Sequence, residues 1–479
     1  MYFDCARRIS TCRQTQAHLG AQIARNTRVG QKCRVPKPPW RLPPARVGRD
    51  ELQRPAPVES SRLFDSSMSD RSDRLYQMND APAVHAPGSA AEVFRVAVKL
   101  GLTSFGGPIA HLGYFERTYV RQRRWLSESE YTGLIGLCQL LPGPSSSQVG
   151  FLIGYHRAGW LGALAAWAAF TLPSALLMYA FAMLAARLQG PMMQAVVHGL
   201  MLTAVAVVAQ ALWSMARSLC PDRQRTAIAL LGAVLLLLHG SGPMQIAVIC
   251  LGAVGGWLLC RSVRLPEFTP PAGLNISTAW IIVSVFCVLL VALPALALLN
   301  RHGAVGLADI FYRAGALVFG GGHVVLPLLR DALVPSGWIS DEDFLTGYGF
   351  AQGMPGPLFT FAAYLGAVSA PAHASAAWAI VALVAIFLPG LLLAIAGMSL
   401  WNRLAQVPTA PAILAGINAA VVGVLGAAFY NPVWTTGIRG SGDVAVAVTG
   451  FLLLQRWRVQ PILVVALCVA VSVVTMALT

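Results

Sequence analysis

The sequence has few charged side chains, and acidic ones are the scarcest. Only 11% of its 479 residues are Asp, Glu, Lys or Arg, with 20 acidic against 35 basic side chains, while 56% of the chain is apolar. A soluble protein of this size could not cover its surface with so few polar groups. The low charge therefore excludes a soluble globular fold.

Several chemical signatures are also absent. The nine cysteines form no CxxC pair and no His/Cys spacing typical of a metal site, so we predict no metal and interpret most of them as small buried residues. No Walker motif or nucleotide loop occurs, which argues against ATP-driven pumping by this chain. There is no cofactor motif and no pattern typical of nucleic-acid binding. We therefore predict no cofactor, no enzymatic activity and no nucleic-acid partner.

Long apolar runs dominate the chain after about residue 92. They follow one another with short breaks, and most approach the roughly 20 residues that a helix needs to cross a bilayer. We count about 13 such elements. The sequence therefore predicts an all-α, polytopic membrane protein whose main partner is the lipid bilayer.

Two parts of this apolar region repeat each other. Trp125-Leu126-Ser127-Glu128 is matched by Trp338-Ile339-Ser340-Asp341, 213 positions later, and Pro142-Gly143-Pro144 by Pro355-Gly356-Pro357 at the same offset. Duplicated apolar segments interrupted by Gly and Pro are the best sequence pointer to a secondary transporter and its binding site. We divide the chain into a first repeat, a linking transmembrane region, a second repeat and a C-terminal hairpin: 92–216, 217–305, 306–430 and 431–479.

Residues 1–91 differ from the remainder. They contain 15 Lys/Arg and 8 Asp/Glu, many prolines and no sustained apolar period, so we predict a disordered basic tail. Three interpretations remain open: a cytoplasmic tail lying on anionic lipid, an organelle transit peptide, or sequence upstream of a true start at Met68 or Met78.

The charges indicate that the second repeat is inverted in the membrane. Seven elements separate the starts of the two repeats, and an odd number of crossings reverses orientation. The loop at 117–124 is net positive, whereas its counterpart at 331–343 is net negative. Because cytoplasmic loops are enriched in Lys and Arg, we place the first loop and the N-terminus in the cytoplasm. This arrangement requires broken or re-entrant helices at the start of each repeat.

The Pro-Gly-Pro segments are the strongest candidates for a binding site. Proline within a helix costs about 3 kcal/mol or more, but it is harmless in the first turn, so each segment is predicted to open a half-helix. Amides at such a helix start bind anions. Ser145 and Ser146 follow the first segment, whereas Leu358 and Phe359 follow the second, so we expect the first to dominate anion contact. The alternative is that these prolines only kink packed helices.

A cationic pair and two Gly-Gly segments complete the candidate site. Lys99 and Arg313 each precede a Phe-Gly-Gly motif by six residues, and they either face the pathway or extend to the membrane surface. The glycines permit close backbone approach, although packing explains them equally well. The predicted substrate-binding residues are Lys99, Phe105, Gly106, Gly107, Gln139, Pro142, Gly143, Pro144, Ser145, Ser146, Arg313, Gly320, Gly321, Gln352, Pro355, Gly356 and Pro357. The candidates for proton coupling are His111, Glu116 and His323.

Together these motifs resemble the chromate ion transporter family in its long, two-domain form. The resemblance rests on Phe105-Gly106-Gly107-Pro108, Trp125-Leu126-Ser127-Glu128, Gln139 to Pro144 and their second copies, and it covers roughly residues 92–430. It implies a bacterial inner-membrane protein that exports chromate and confers chromate resistance, driven by the membrane potential or a proton gradient.

An alternative is a carrier that takes up or exchanges sulfate or another oxyanion. Chromate and sulfate are tetrahedral dianions of similar size, and a static site discriminates poorly between such isosteres. A membrane-bound chromate reductase, a third interpretation, would need a cofactor motif that the sequence lacks. Assembly as a homodimer is left open.

The charge asymmetry generates a topology prediction. Single cysteines introduced in the loop at 117–124 should react only with membrane-permeant reagents in intact cells, because that loop is expected inside. Cysteines at 331–343 should react with impermeant reagents. Labelling that places both loops on one side of the membrane would refute the inverted arrangement.

Overall fold

The computed structural model describes residues 88–478, apart from 106, 186–189, 240–241, 261–274, 320–321, 372, 405–406 and 408. Within these residues the protein is built from sixteen α-helices of eight or more residues, with short 3-10 and π segments. The prediction of an all-α fold is therefore confirmed. The predicted tail, 1–91, lies almost wholly outside the described residues.

Seven helices form the first half of the described chain. Their bounds are α1 Ala90–Thr103, α2 Gly107–Phe115, α3 Glu128–Leu140, α4 Ser145–Ala185, α5 Pro191–Leu219, α6 Arg223–Leu238 and α7 Gly242–Leu259. A π segment, Glu116–Gln122, extends α2. One further helix, α8 Ile276–Ala297, precedes the second half.

The second half repeats this order with one extra division. Its helices are α9 Ala304–Leu317, α10 Val325–Leu333, α11 Asp341–Gln352, α12 Phe361–Val368, α13 Ser375–Leu404, α14 Ala410–Ala428, α15 Ser441–Gln455 and α16 Pro461–Leu478. Short 3-10 turns precede α10 and α12, at Gly322–Val324 and Leu358–Thr360. Helices α12 and α13 together correspond to α4. The structure has more helices than the thirteen predicted elements because the breaks divide the apolar runs.

Among the described residues, six segments are long and apolar enough to cross a membrane. They are Ser145–Ala185, Pro191–Leu219, Ile276–Ala297, Ser375–Trp401, Ala410–Gly437 and Pro461–Leu478. Large apolar side chains also cover the exposed surface of these helices, as expected where lipid is the solvent. The chain is therefore a multi-pass membrane protein.

Helix α4 folds back on itself instead of crossing once. A straight helix of its 41 residues would be about 60 Å long, twice the roughly 30 Å of a hydrocarbon core. Ala158 and Gly159 have non-helical backbone angles. A Cβ added to Gly162 would lie 2.2 Å from the Gly154 carbonyl oxygen, although eight residues of helix span about 12 Å. The chain therefore reverses at 158–159.

The second half makes the same reversal between α12 and α13. A Cβ added to Gly366 would lie 2.5 Å from the Trp378 carbonyl oxygen. Glycine is required at Gly154, Gly162 and Gly366 because any side chain would separate the two arms of each hairpin. These three glycines thus hold two equivalent helical hairpins together.

The repeated Trp-x-Ser-acid motif is a helix cap. Ser127 Oγ accepts a hydrogen bond from the Glu130 amide, and Glu130 in turn accepts one from the Ser127 amide at 2.8 Å. Ser340 Oγ caps α11 by accepting a hydrogen bond from the Asp343 amide at 3.0 Å. These bonds satisfy donors that a helix start leaves free. The motif therefore fixes where α3 and α11 begin and does not itself carry chemistry.

The hairpin contact generates a stability prediction. Gly162→Ala should lower the free energy of unfolding by about 1–3 kcal/mol, because the added methyl group overlaps the backbone of Gly154. Gly113→Ala is the matched control, since Gly113 lies in α2 with no atom within 4 Å of an added Cβ. Thermal unfolding of the purified protein in detergent measures both. Equal stability of the two variants would contradict the hairpin.

Candidate functional site

Each half is interrupted by a proline-containing segment. These proline breaks are Pro142-Gly143-Pro144, between α3 and α4, and Pro355-Gly356-Pro357, between α11 and α12. As predicted, the first break is followed at once by a helix, because α4 begins at Ser145. Gly143 and Gly356 have positive φ angles of 120° and 92°. Only glycine adopts such angles readily, so both positions exclude side chains.

Each half also has a glycine break, directly after its first helix. The described residues of these segments are 104–105, after α1, and 318–319, after α9, and in the sequence each is followed by glycines. The residues that follow the two glycine breaks approach each other, since a Cβ added to Gly322 would lie 3.9 Å from Pro108 Cγ. Gly322 and Pro108 hold equivalent positions in the two halves. Equivalent residues of the two halves therefore lie next to each other.

The proline break of each half is hydrogen-bonded to the glycine break of the other. The Gly143 amide donates to the Val318 carbonyl at 2.7 Å, and the Gly356 amide donates to the Ser104 carbonyl at 2.9 Å. Backbone groups at a break lack helical partners, and a bilayer offers no water to replace them. Each half thus supplies the acceptor that the break of the other half requires.

The proline breaks pack against a second repeated motif. A Cβ added to Gly143 would lie 2.9 Å from Gly390 Cα, and one added to Gly356 would lie 2.7 Å from Ser174 Oγ. Gly390 and Ser174 end the matching Leu-Pro-Gly and Leu-Pro-Ser sequences of α13 and α4. In both cases the proline break of one half contacts the Leu-Pro motif of the other half.

Gln148 ties the first proline break to the second half. Its Nε2 donates to the Pro142 carbonyl at 2.8 Å and to the Gly390 carbonyl at 2.9 Å. The side chain is fully buried, and its Oε1 has no hydrogen-bond partner in the described part of the protein. The amide nitrogen of Gln148 therefore links the first proline break to the second half, while its amide oxygen has no hydrogen-bond donor among the described residues.

Buried polar side chains cluster around the start of α4. We call Ser104, His111, Ser146, Ser147 and Gln148 the polar cluster; each is at most 2% exposed. His111 Nδ1 lies 3.3 Å from Ser146 Oγ, and the His111 side chain also lies beside the Ser104 backbone. Among the described residues, Ser104 Oγ, His111 Nε2 and Ser147 Oγ lack partners. Since buried polar atoms are normally paired, this cluster is chemically suited to a polar ligand or ordered water.

A small cavity lies where the halves cross. Its volume is about 60 Å³, which is enough for water, and its lining includes Gly107 and Pro108 from the first half and His323, Gln352 and Gly356 from the second. Gln352 Nε2 is buried without a partner in the described part of the chain. The structure therefore brings four predicted site residues to one cavity, namely Gly107, His323, Gln352 and Gly356.

The two proline breaks lead into chemically different helix starts. The first three amides of α4 belong to Ser145, Ser146 and Ser147 and have no intrahelical acceptor. The second break is followed by Leu358 and Phe359, and the hydroxyl of Thr360 is already bonded to the Pro357 carbonyl at 2.8 Å. Donors that could hold an anion are therefore concentrated in the first half.

Several predicted residues lie away from the breaks. Lys99 is exposed on α1, and Gln139 is exposed on α3, unlike its counterpart Gln352. Arg313 is ion-paired with Asp309 in a separate cavity. The cationic pair is therefore not brought together with the proline breaks.

The remaining predicted residues lie in different places. Phe105 is half-buried beside the first glycine break. Glu116 is ion-paired with Arg121 at 2.5 Å in the partly exposed π segment that extends α2. Three predicted glycines lie outside the described residues, namely Gly106, Gly320 and Gly321.

Sequence reasoning missed several residues of the site. Gln148 belongs to the polar stretch that follows the first proline break, and Ser104 directly precedes Phe105, but neither was included among the predicted binding residues. Ser174 ends a sequence that does recur, Leu-Pro-Ser against Leu-Pro-Gly, and that recurrence was the available signal. Within the described ranges, no group of three or more His, Cys, Asp or Glu side chains could hold a metal ion.

Comparison with known proteins identifies a family. The sequence profile described as "Chromate transporter" matches residues 91–257 and 305–473, so it matches the chain twice. Each match is longer than the predicted repeats, 92–216 and 306–430. No solved structure matches the chain.

Curated relatives align along most of the chain. A chromate transport protein from Pseudomonas aeruginosa is 26% identical over 400 residues, covering 78% of this chain and 89% of the relative. A probable chromate transport protein from Synechococcus elongatus is 28% identical and covers 81% and 96%, respectively. A chromate transport protein from Cupriavidus metallidurans is 27% identical, covering 77% and 89%.

The breaks generate a comparison of three glycine substitutions. Gly143→Ala should destabilise the protein by about 1–3 kcal/mol or more, because the new methyl group meets the backbone of Gly390 at a left-handed φ. Gly356→Ala should cost less, since Ser174 Oγ is a side chain that can rotate away. Gly107→Ala is the control with a positive φ of 79° and open space around it.

Thermal unfolding in detergent ranks these three variants. The control separates the cost of backbone strain, which all three share, from the cost of the contact between the halves. An equal loss in all three would mean that the contact contributes nothing.

Proposed function

The chain belongs to the chromate transporter family, and on that premise we propose that it is a secondary transporter that exports chromate across the bacterial inner membrane and so confers chromate resistance. The family comprises transporters and not enzymes. Relatives that align along most of the chain are named as chromate transport proteins. Chromate is therefore the substrate that we assign.

The observation that carries this proposal is the reciprocal bonding between proline and glycine breaks. It places a helix start, a cluster of unsatisfied polar groups and a cavity at the junction of two equivalent halves. Secondary transporters bind substrate at the junction of their repeats, where half-helix starts point at anionic groups. Chromate, a tetrahedral dianion, suits the amide and hydroxyl donors at the start of α4.

We place the principal substrate contact at the first proline break. Its donors are the amides that follow Pro144 and the hydroxyls of Ser145 and Ser146. Gln352 and Gly356 line the neighbouring cavity and are proposed to contact the anion as it moves between the halves.

Lys99 and Arg313 receive no substrate contact in this proposal. The first is exposed, and the second is already paired with a carboxylate. Both remain suited to interaction with the membrane surface or with another charged group.

We further propose that the two repeats have inverted topology, with the N-terminus and the segment at 117–124 in the cytoplasm. Two halves that exchange equivalent contacts are related by an approximate twofold axis. The segments at 117–124 and 331–343 hold equivalent positions and carry opposite charge, which supports a twofold axis in the membrane plane. Only such an axis puts the two segments on opposite sides of the membrane.

Transport into everted membrane vesicles tests the direction and the substrate. Everted vesicles that contain the protein should accumulate labelled chromate when energised, whereas vesicles from cells that lack it should not. Ionophores that collapse the potential and the proton gradient should abolish accumulation. Unlabelled sulfate is included as a competitor because it has the same shape and charge.

Two results would contradict the proposal. Accumulation only in right-side-out vesicles would identify an uptake carrier. Accumulation of labelled sulfate without chromate would reassign the substrate to another oxyanion.

A further inference from the structure

A second, larger cavity lies at the start of the second half, away from the proline breaks. Its volume is about 540 Å³, and it is bounded by α8, α9, α10 and the start of α7. Its polar lining consists mainly of Gln245, Arg301, Asp309, Arg313 and Asp331. A polar cavity of this size has room for several waters, so protons can reach its walls.

Asp309 is the unusual member of this lining. Among the described acidic residues it alone is buried, with 4% of its surface exposed. Its Oδ2 accepts a hydrogen bond from Arg313 at 2.5 Å, while its Oδ1 is buried without a partner in the described part of the protein. A buried carboxylate is costly unless it is paired and fully hydrogen-bonded. Asp309 is therefore only half satisfied when charged.

The Asp309–Arg313 pair has no equivalent in the first half. Lys99 matches Arg313, and at the same offset of 214 residues Arg95 stands where Asp309 would be. Arg95 and Lys99 are both exposed on α1. Both helices pack against the helix that carries the Leu-Pro motif of their own half, since a Cβ added to Gly101 would lie 2.8 Å from the Phe170 carbonyl oxygen and one added to Gly315 would lie 2.1 Å from the Ile386 carbonyl oxygen. The first half makes this contact without a carboxylate at the equivalent position.

The other charged and titratable groups around Asp309 have the following contacts and positions. Asp331 is hydrogen-bonded to Gln245 and ion-paired with Arg330, and Arg301 shares the cavity. His302 contacts Trp338, which also lines it. Helix α8 contributes no charged side chain, and α13 contributes only Arg403 at its far end.

We propose that Asp309 binds the proton that drives transport, and that Arg313 is the counter-ion released when Asp309 becomes protonated. The inference rests on the proposed secondary transport, and it names a residue for the coupling that His111, Glu116 and His323 were predicted to provide. Protonation removes the buried charge of the incompletely hydrogen-bonded carboxylate, and it leaves Arg313 free to move. Intramembrane carboxylates in proton-driven transporters act in this way.

The full-length protein, reconstituted in liposomes, tests this assignment by two assays. Exchange of labelled for unlabelled chromate needs no net proton movement, whereas net transport driven by an imposed pH gradient does. Asp309→Asn should keep measurable exchange and lose the response to the pH gradient. Asp309→Glu should retain both, because it keeps a titratable carboxyl group. Asp331→Asn is the matched control, a carboxylate of the same cavity that already has partners.

A measurement on the wild-type protein does not depend on the folding of any variant. Dicyclohexylcarbodiimide, an apolar reagent that adds to protonated carboxyl groups, should modify Asp309 in preference to Asp331. Peptide mass spectrometry identifies the site. The modified protein should lose gradient-driven transport.

The outcomes separate this inference from the proposed function. Absence of chromate exchange in the wild-type protein would refute the proposed function itself. A wild-type protein that exchanges chromate but ignores the pH gradient would overturn only the inference. So would an Asp309→Asn variant that still follows the gradient, or carbodiimide labelling of Asp331 without Asp309.

Discussion

The structure depends on one constraint: backbone hydrogen-bonding groups at membrane depth must find partners inside the protein. A helix satisfies this requirement along its length but fails wherever it is broken. Here each proline break donates its glycine amide to a carbonyl at the glycine break of the opposite half. The hydrogen bonds that permit the breaks therefore also join the halves. Stability and site geometry have the same origin, and the glycines at these points serve both.

Much of the fold could be predicted because it rests on local chemistry. Composition and apolar run length indicated a helical membrane protein, and proline chemistry predicted that α4 begins after Pro144. The recurrence of motifs at a nearly constant offset revealed two equivalent segments. Each of these inferences uses a property that a residue imposes on its own stretch of chain.

The content of the site was less predictable because it depends on contacts between distant segments. Gln148 bonds a carbonyl 242 positions away, and no periodicity encodes such a contact. Conversely, Lys99 and Arg313 looked equivalent in the sequence and both are exposed, yet Arg313 is ion-paired with a buried carboxylate, Asp309, that has no counterpart beside Lys99. Repetition identified the positions that both halves need for folding. Residues that occur in only one half account for the chemical differences between the two halves.

The reciprocal hydrogen bonds also determine how the amino-acid sequences of the two halves can diverge. Two identical subunits could form the same crossing, but every substitution would then occur on both sides of the axis. In a single chain each half varies independently while it still supplies an acceptor to the other. Serines after one proline break and Leu-Phe after the other are such a difference, as is a buried carboxylate opposite an exposed arginine. Covalent joining of the halves thus allows the protein to keep an approximately symmetric backbone while equivalent positions in the two halves carry side chains of different chemistry.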